Sequence, residues 1–161
     1  MERIIQPFID VSKNVFQELL GIAISDSRPY FVESGSIADG DISAIIGLTG
    51  DTRAAVVISM KKDLAVRITE MWTGSEHKDL DDDVIDAIGE IMTIIVGNVK
   101  KNLGENLRLI SSIPTFVQGQ DHEIKWPGIH GQFIRIPFKI FSNSAFSLSV
   151  AIEPADKKDP A

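Results

Sequence analysis

Asp86, Glu90 and Thr93 are the residues of this chain whose types and spacing could do chemistry together. On a helix, side chains three apart are neighbours, so the Glu90 carboxylate and the Thr93 hydroxyl would sit side by side. A carboxylate beside a hydroxyl can pair with a cation and orient a water molecule at the same time. At about 100° per residue, Asp86, Glu90, Thr93 and Gly97 fall on one side of a helix, and Ile85, Ile88, Met92, Ile95, Val99 and Leu103 gather on the other. One face packs and the other is presented.

Any amphipathic helix has a solvated side, so the polar stripe alone is not evidence of a site. Three details speak for more. Gly89 and Gly97 lie inside the helix, where each costs about 1 kcal/mol relative to alanine and signals a packing or functional need, such as the close approach of another chain. Thr93 is β-branched and stands where helix propensity favours Lys, Glu or Ala. Glu90 and Thr93, finally, are a matched pair rather than two scattered polar residues.

The helix that carries them spans roughly 81–103. Asp79, Asp81, Asp82 and Asp83 precede or open it, where aspartates satisfy free backbone N–H groups and oppose the helix dipole; Lys100, Lys101 and Gly104 close it by the converse logic. Upstream, residues 6–20 read as a helix with Ile5, Phe8, Ile9, Val15, Phe16, Leu19 and Leu20 as its buried stripe. Its outer face, with Asp10, Lys13, Asn14 and Gln17, has no counterpart of the Glu90 and Thr93 pair. Strand signals follow at 29–33, 42–48 and 54–60, the last two joined by the turn sequence Thr49-Gly50-Asp51-Thr52. Ala44-Ile45-Ile46 and Ala55-Val56-Val57-Ile58 are continuous apolar runs, as in strands covered on both faces. A short helix over 62–72 turns Leu64, Ile68, Met71 and Trp72 inward. Beyond the long helix come a stretch at 107–117 broken at Pro114 and strands at 132–141 and 145–153. Pro114 and Pro137 belong at strand ends, bulges or edges, since neither can donate to a ladder. The order is helix and three strands, a connecting helix, then helix and three strands again. The expected fold is α+β, with two similar halves whose long helices pack on antiparallel strands: a single domain over 1–153 and a polar, disordered tail over 154–161.

The chain has 161 residues, 43% of them hydrophobic and 24% charged, which is enough for a core and ordinary for a folded domain. A net charge of −7 has the wrong sign for nucleic acid or an anionic membrane. There is no cysteine, hence no disulfide and no thiolate chemistry. The N-terminus carries no secretory pattern and no apolar run approaches the ~18 residues of a membrane span, so a cytoplasmic protein is expected. His77, His122 and His130 stand apart from one another and from metal-ligand spacing, and no metal site is assigned.

With these residues in view, the chain resembles the CheX branch of the CheC/CheX/FliY chemotaxis phosphatases. Asp86-x-x-x-Glu90-x-x-Thr93, followed by Ile95-Val96-Gly97-Asn98, is similar to that family's Asp/Ser-x3-Glu-x2-Asn signature, with Pro114 near the place of its downstream proline. Ile46-Gly47-Leu48-Thr49-Gly50-Asp51, leading into Ala55-Val56-Val57-Ile58-Ser59-Met60, looks like the family's glycine-bracketed hairpin. The likeness covers roughly 4–153. It implies a two-halved fold, a homodimer, and hydrolysis of the aspartyl phosphate of a CheY-like response regulator. Glu90 would dock a lysine of the regulator, Thr93 would position water where the family has asparagine, and Asp86, Gly89 and Gly97 would line the partner-facing surface. The chain itself would hold no cofactor, the magnesium ion belonging to the regulator. A hydroxyl can orient an in-line water in principle. The alternative reading is a regulator-binding adaptor or sink without turnover, and a structural module with a merely solvated helix face is the third.

Overall fold

A computed structural model describes residues 2–33, 40–104, 107–120, 122, 124 and 132–153. His130 and the tail over 154–161 lie outside the described residues. The elements run α1 (Glu2–Leu20), β1 (Ser25–Asp26), β2 (Tyr30–Glu33), β3 (Ile42–Gly50), β4 (Ala54–Met60), α2 (Lys62–Thr73), α3 (Asp82–Asn102), β5 (Leu109–Ser111), β6 (Thr115–Gln118), β7 (Gln132–Ile140) and β8 (Ser144–Ile152). All strands join one antiparallel sheet in the order β1-β7-β8-β4-β3-β5, with β2 beside β1 on the β7 edge and β6 beside β5 on the β3 edge.

That order reads the same from both ends. Each half contributes a long helix, a short arm split into two strands, and a hairpin; the expected single arm strand is thus two pieces in each half. The arms are exchanged: β1 and β2 pair with the hairpin of the second half, and β5 and β6 with that of the first. The two hairpins meet at the centre, where β4 pairs with β8 from Ala54↔Ile152 to Ser59↔Ser147.

The helices cover one face of this sheet. Even-numbered residues of the four long strands, from Ile42, Ala44 and Ile46 on β3 to Phe146, Leu148 and Val150 on β8, share a core with α1, α2 and α3. Phe146 stacks between Phe16 of α1 and Phe138 of β7, with ring centroids 5.1 Å apart in each pair. Odd-numbered residues form a smaller apolar cluster on the other face, Ile45, Ala55, Val57, Phe133 and Ala151. All of β4 is therefore buried, as its unbroken apolar run requires.

Several expectations change. α1 begins at Glu2 and carries Pro7 in its interior, because the buried stripe of Ile5, Phe8 and Ile9 anchors the turns around a residue that propensity would place at the start. The same stripe includes Val11 and Ser12. On α2, Met71 points outward, and Ala65 and Thr69 take the inner face with Leu64 and Ile68. Pro137 sits mid-strand in β7, but its carbonyl accepts from Ser27 N at 2.9 Å, in the gap between β1 and β2. In a strand, a residue's N–H side and carbonyl side coincide. The missing donor thus faces the one break in that edge ladder.

Candidate functional site

α3 is built to hold its polar face still. Asp81 caps it, its carboxylate accepting from Val84 N at 2.9 Å, and Asp82 and Asp83 occupy the first turn. Asp79 does other work: it pairs with Lys62 of α2 at 2.9 Å. Val84, Ala87, Ile88, Ile91, Met92, Ile95, Val96 and Val99 are buried, a wider apolar arc than the one predicted, while Ile85 and Leu103 are only partly covered. Asp86, Glu90 and Thr93 remain exposed, as the spacing requires.

Two walls flank this stripe. On the Glu90 side a shallow groove runs between α3 and the end of α2, lined by Trp72, His77, Asp83, Asp86, Ala87 and Glu90 among others. On the Thr93 side lies the connection between β5 and β6. Gly89 is buried there, and a Cβ on it would come within 2.5 Å of Phe116 Cζ and 3.2 Å of Pro114 Cγ. The expectation that Gly89 meets a partner is therefore corrected: the close approach it permits is made inside the chain, by β6. Gly97 differs, since an added Cβ would meet nothing within 4 Å.

The Thr93 hydroxyl donates to the Gly89 carbonyl at 2.9 Å. Its one proton is committed, and both lone pairs are left to accept from solvent. Among the described residues neither Asp86 nor Glu90 forms an ion pair. The stripe thus offers negative charge and a fixed acceptor with no ion partner for either carboxylate among the described residues.

The sequence missed two histidine contacts, one beside this face and one remote from it. His77 is tied to the start of α3, its Nδ1–H donating to Asp81 Oδ2 at 2.7 Å while its backbone N–H donates to Glu70 Oε1 at 3.1 Å. The bond to Asp81 raises the imidazole pKa above its ordinary value; burial opposes this, and the charges of Asp81, Asp83 and Glu70 add to it. His77, Asp81 and Asp83 bring ligand-type atoms within 4.8 Å of one another, so His77 is not isolated in space as it is in sequence. The cluster is accounted for by capping and ion pairing. His122, far away on the outer sheet face, donates from Nδ1 to Gly119 O at 2.7 Å and meets the Ser43 hydroxyl through Nε2 at 2.6 Å.

A doubled α+β fold with exchanged arms defines a class of protein, and comparison with known proteins agrees with that fold. The family model described as chemotaxis phosphatase CheX matches residues 42–139, more than half of the chain. This chain belongs to the CheX family. It is 26% identical over 155 residues to the CheY-P phosphatase CheX of Thermotoga maritima, covering 94% of this chain and 96% of that protein. The CheC-like superfamily protein of Shewanella sp. PV-4 superposes with a TM-score of 0.84 at 25% identity, over 94% of this chain and 98% of the other. A chain of the CheX–CheY–BeF3–Mg2+ complex of Borrelia burgdorferi is similar in fold, with a TM-score of 0.79 at 23% identity over 94% and 98%. No helix among the described residues is long and apolar enough to cross a membrane.

Proposed function

We propose that this protein hydrolyses the aspartyl phosphate of a CheY-like receiver, with Glu90 docking a receiver cation and Thr93 positioning the attacking water. Membership of the CheX family supports the reaction class, and the observation that carries the residue assignment is the Thr93 hydroxyl, oriented by the Gly89 carbonyl beside a Glu90 that forms no ion pair among the described residues. A water that donates a hydrogen bond to Thr93 Oγ1 keeps a lone pair free for phosphorus. Its oxygen forms the new P–O bond as the bond to the aspartyl oxygen breaks, leaving a free carboxylate and inorganic phosphate. Catalysis of this kind is positioning more than covalent chemistry. The aspartyl phosphate and its magnesium ion come with the receiver, and this reading takes a cytoplasmic location and the family's homodimer as its working setting.

Thr93 in place of asparagine favours a second reading, an adaptor that binds the receiver without turnover. The two separate in one assay of phosphate loss from the host's receiver domains. Thr93→Ala should reduce kcat on the order of 10²-fold with binding intact, whereas Glu90→Ala should raise KM about tenfold, or 1.4 kcal/mol. Thr93→Asn is the discriminator: a large gain from an inert wild type marks a decayed enzyme. No acceleration by wild type on any receiver would refute the catalytic reading.

A further inference from the structure

Ile113 is 84% exposed, the most exposed large hydrophobic residue among those described, and stands on the connection between β5 and β6. That connection is not a loose tip. Ser112 N donates to Gly47 O at 2.8 Å, Gly47 N donates back to Ser112 Oγ at 3.0 Å, and the Ser112 hydroxyl donates to the Ile113 carbonyl at 2.9 Å. The following residue, Pro114, packs against Gly89, whose carbonyl holds Thr93. An apolar side chain is thus displayed on a connection tied to β3, next to a proline that packs against the helix carrying Glu90 and Thr93.

Resting on the function proposed above, we propose that Ile113 is the apolar anchor by which the receiver domain docks against that stripe. Three properties point to this occupant. The anchor is continuous with the reacting face through Pro114 and Gly89, its backbone is preorganised, and it supplies the apolar contact that a stripe of two carboxylates and a hydroxyl lacks. Protein interfaces commonly concentrate their binding energy in a few buried anchor side chains. Ile110 provides an internal control. It is 71% exposed on the same sheet edge, but it lies opposite Thr49 while its neighbour Ser111 lies opposite buried Leu48. Ile110 therefore faces away from the helices and from the site.

The test measures kcat and KM of the full chain with the host receiver it dephosphorylates fastest, phosphorylated with acetyl phosphate. Ile113→Asp should raise KM tenfold or more with kcat at saturation unchanged, and Ile113→Ala should raise it by a smaller factor in the same direction; Ile110→Asp should leave both constants as they are. An unchanged KM for both Ile113 variants, with melting temperature preserved, would overturn the proposal. So would an equal effect of Ile110→Asp, or a fall in oligomer mass with Ile113→Asp, which would give the side chain to self-association. A wild type inert on every receiver removes the functional reading and this proposal with it, an outcome distinct from an active wild type indifferent to position 113.

Discussion

Two glycines on one helix are there for opposite reasons, and substitution should separate them. Gly89→Ala gains about 1 kcal/mol of helix propensity but drives a methyl into Phe116 and Pro114, an overpacking worth roughly 1–3 kcal/mol. The net expectation is destabilisation, with a Thr93 hydroxyl displaced from its orientation and kcat lowered. Gly97→Ala has open space before it, so it should stabilise the isolated protein by up to about 1 kcal/mol. If a receiver approaches closely over Gly97, the same methyl should raise KM. Thermal melting and steady-state kinetics on the two variants measure both effects, and a stabilised Gly89→Ala would disprove the packing account.

At the scale of the element, α3 depends on its first turn. Asp81→Ala removes both the cap on Val84 and the partner of His77, and should lower the melting temperature through the lost cap. The pH dependence has a definite direction. His77 binds its proton more tightly in the folded protein than at its ordinary 6.5, so this contribution is complete below about pH 6.5 and is lost as pH rises through the raised value. Asp81 is lowered from 3.8, chiefly by its bond to His77 and also by the Val84 N–H, so its contribution is present above that value and is lost as pH falls through the folded one. NMR titration should place the His77 pKa above 6.5 in the wild type and lower in Asp81→Ala. An unshifted His77 would show that the pair is not formed in solution.

For the whole molecule, the exchange of arms means that neither half can be complete alone. β7 takes its outer neighbours, β1 and β2, from the first half, and β3 takes β5 and β6 from the second. Expressing residues 1–60 or 82–161 alone should therefore give unfolded or self-associating material, whereas mixing the two should restore far-UV and near-UV circular dichroism. β8 is central, so it cannot extend a sheet across a two-fold axis, and its small residues Ser147 and Ser149 face away from the helices rather than accommodating one. Among the described residues the sheet ends at β1 with β2 and at β5 with β6; Tyr30 and Phe31 of β2 are 46% and 59% exposed. A homodimer should then register in light scattering as twice the chain mass and respond to Phe31→Lys. A monomer at micromolar concentration would contradict it.

What the sequence determined by itself was periodic and local. The 3.6-residue repeat placed Asp86, Glu90 and Thr93 on one exposed face, the aspartate run marked the N-terminus of α3, and the apolar runs of β3 and β4 announced strands buried on both faces. The duplicated order of elements was legible for the same reason, since helix and strand periods differ. The tertiary structure decided what depends on contacts between residues distant in sequence. Phe116 gave Gly89 its purpose, Gly89 in turn fixed which way the Thr93 hydroxyl points, and the gap between β1 and β2 made room for Pro137. β8 became central because its apolar face had a core to fill and β4 to pair with. No periodicity encodes those partners: a repeat reports which way a side chain faces, and only the folded chain reports what it meets there.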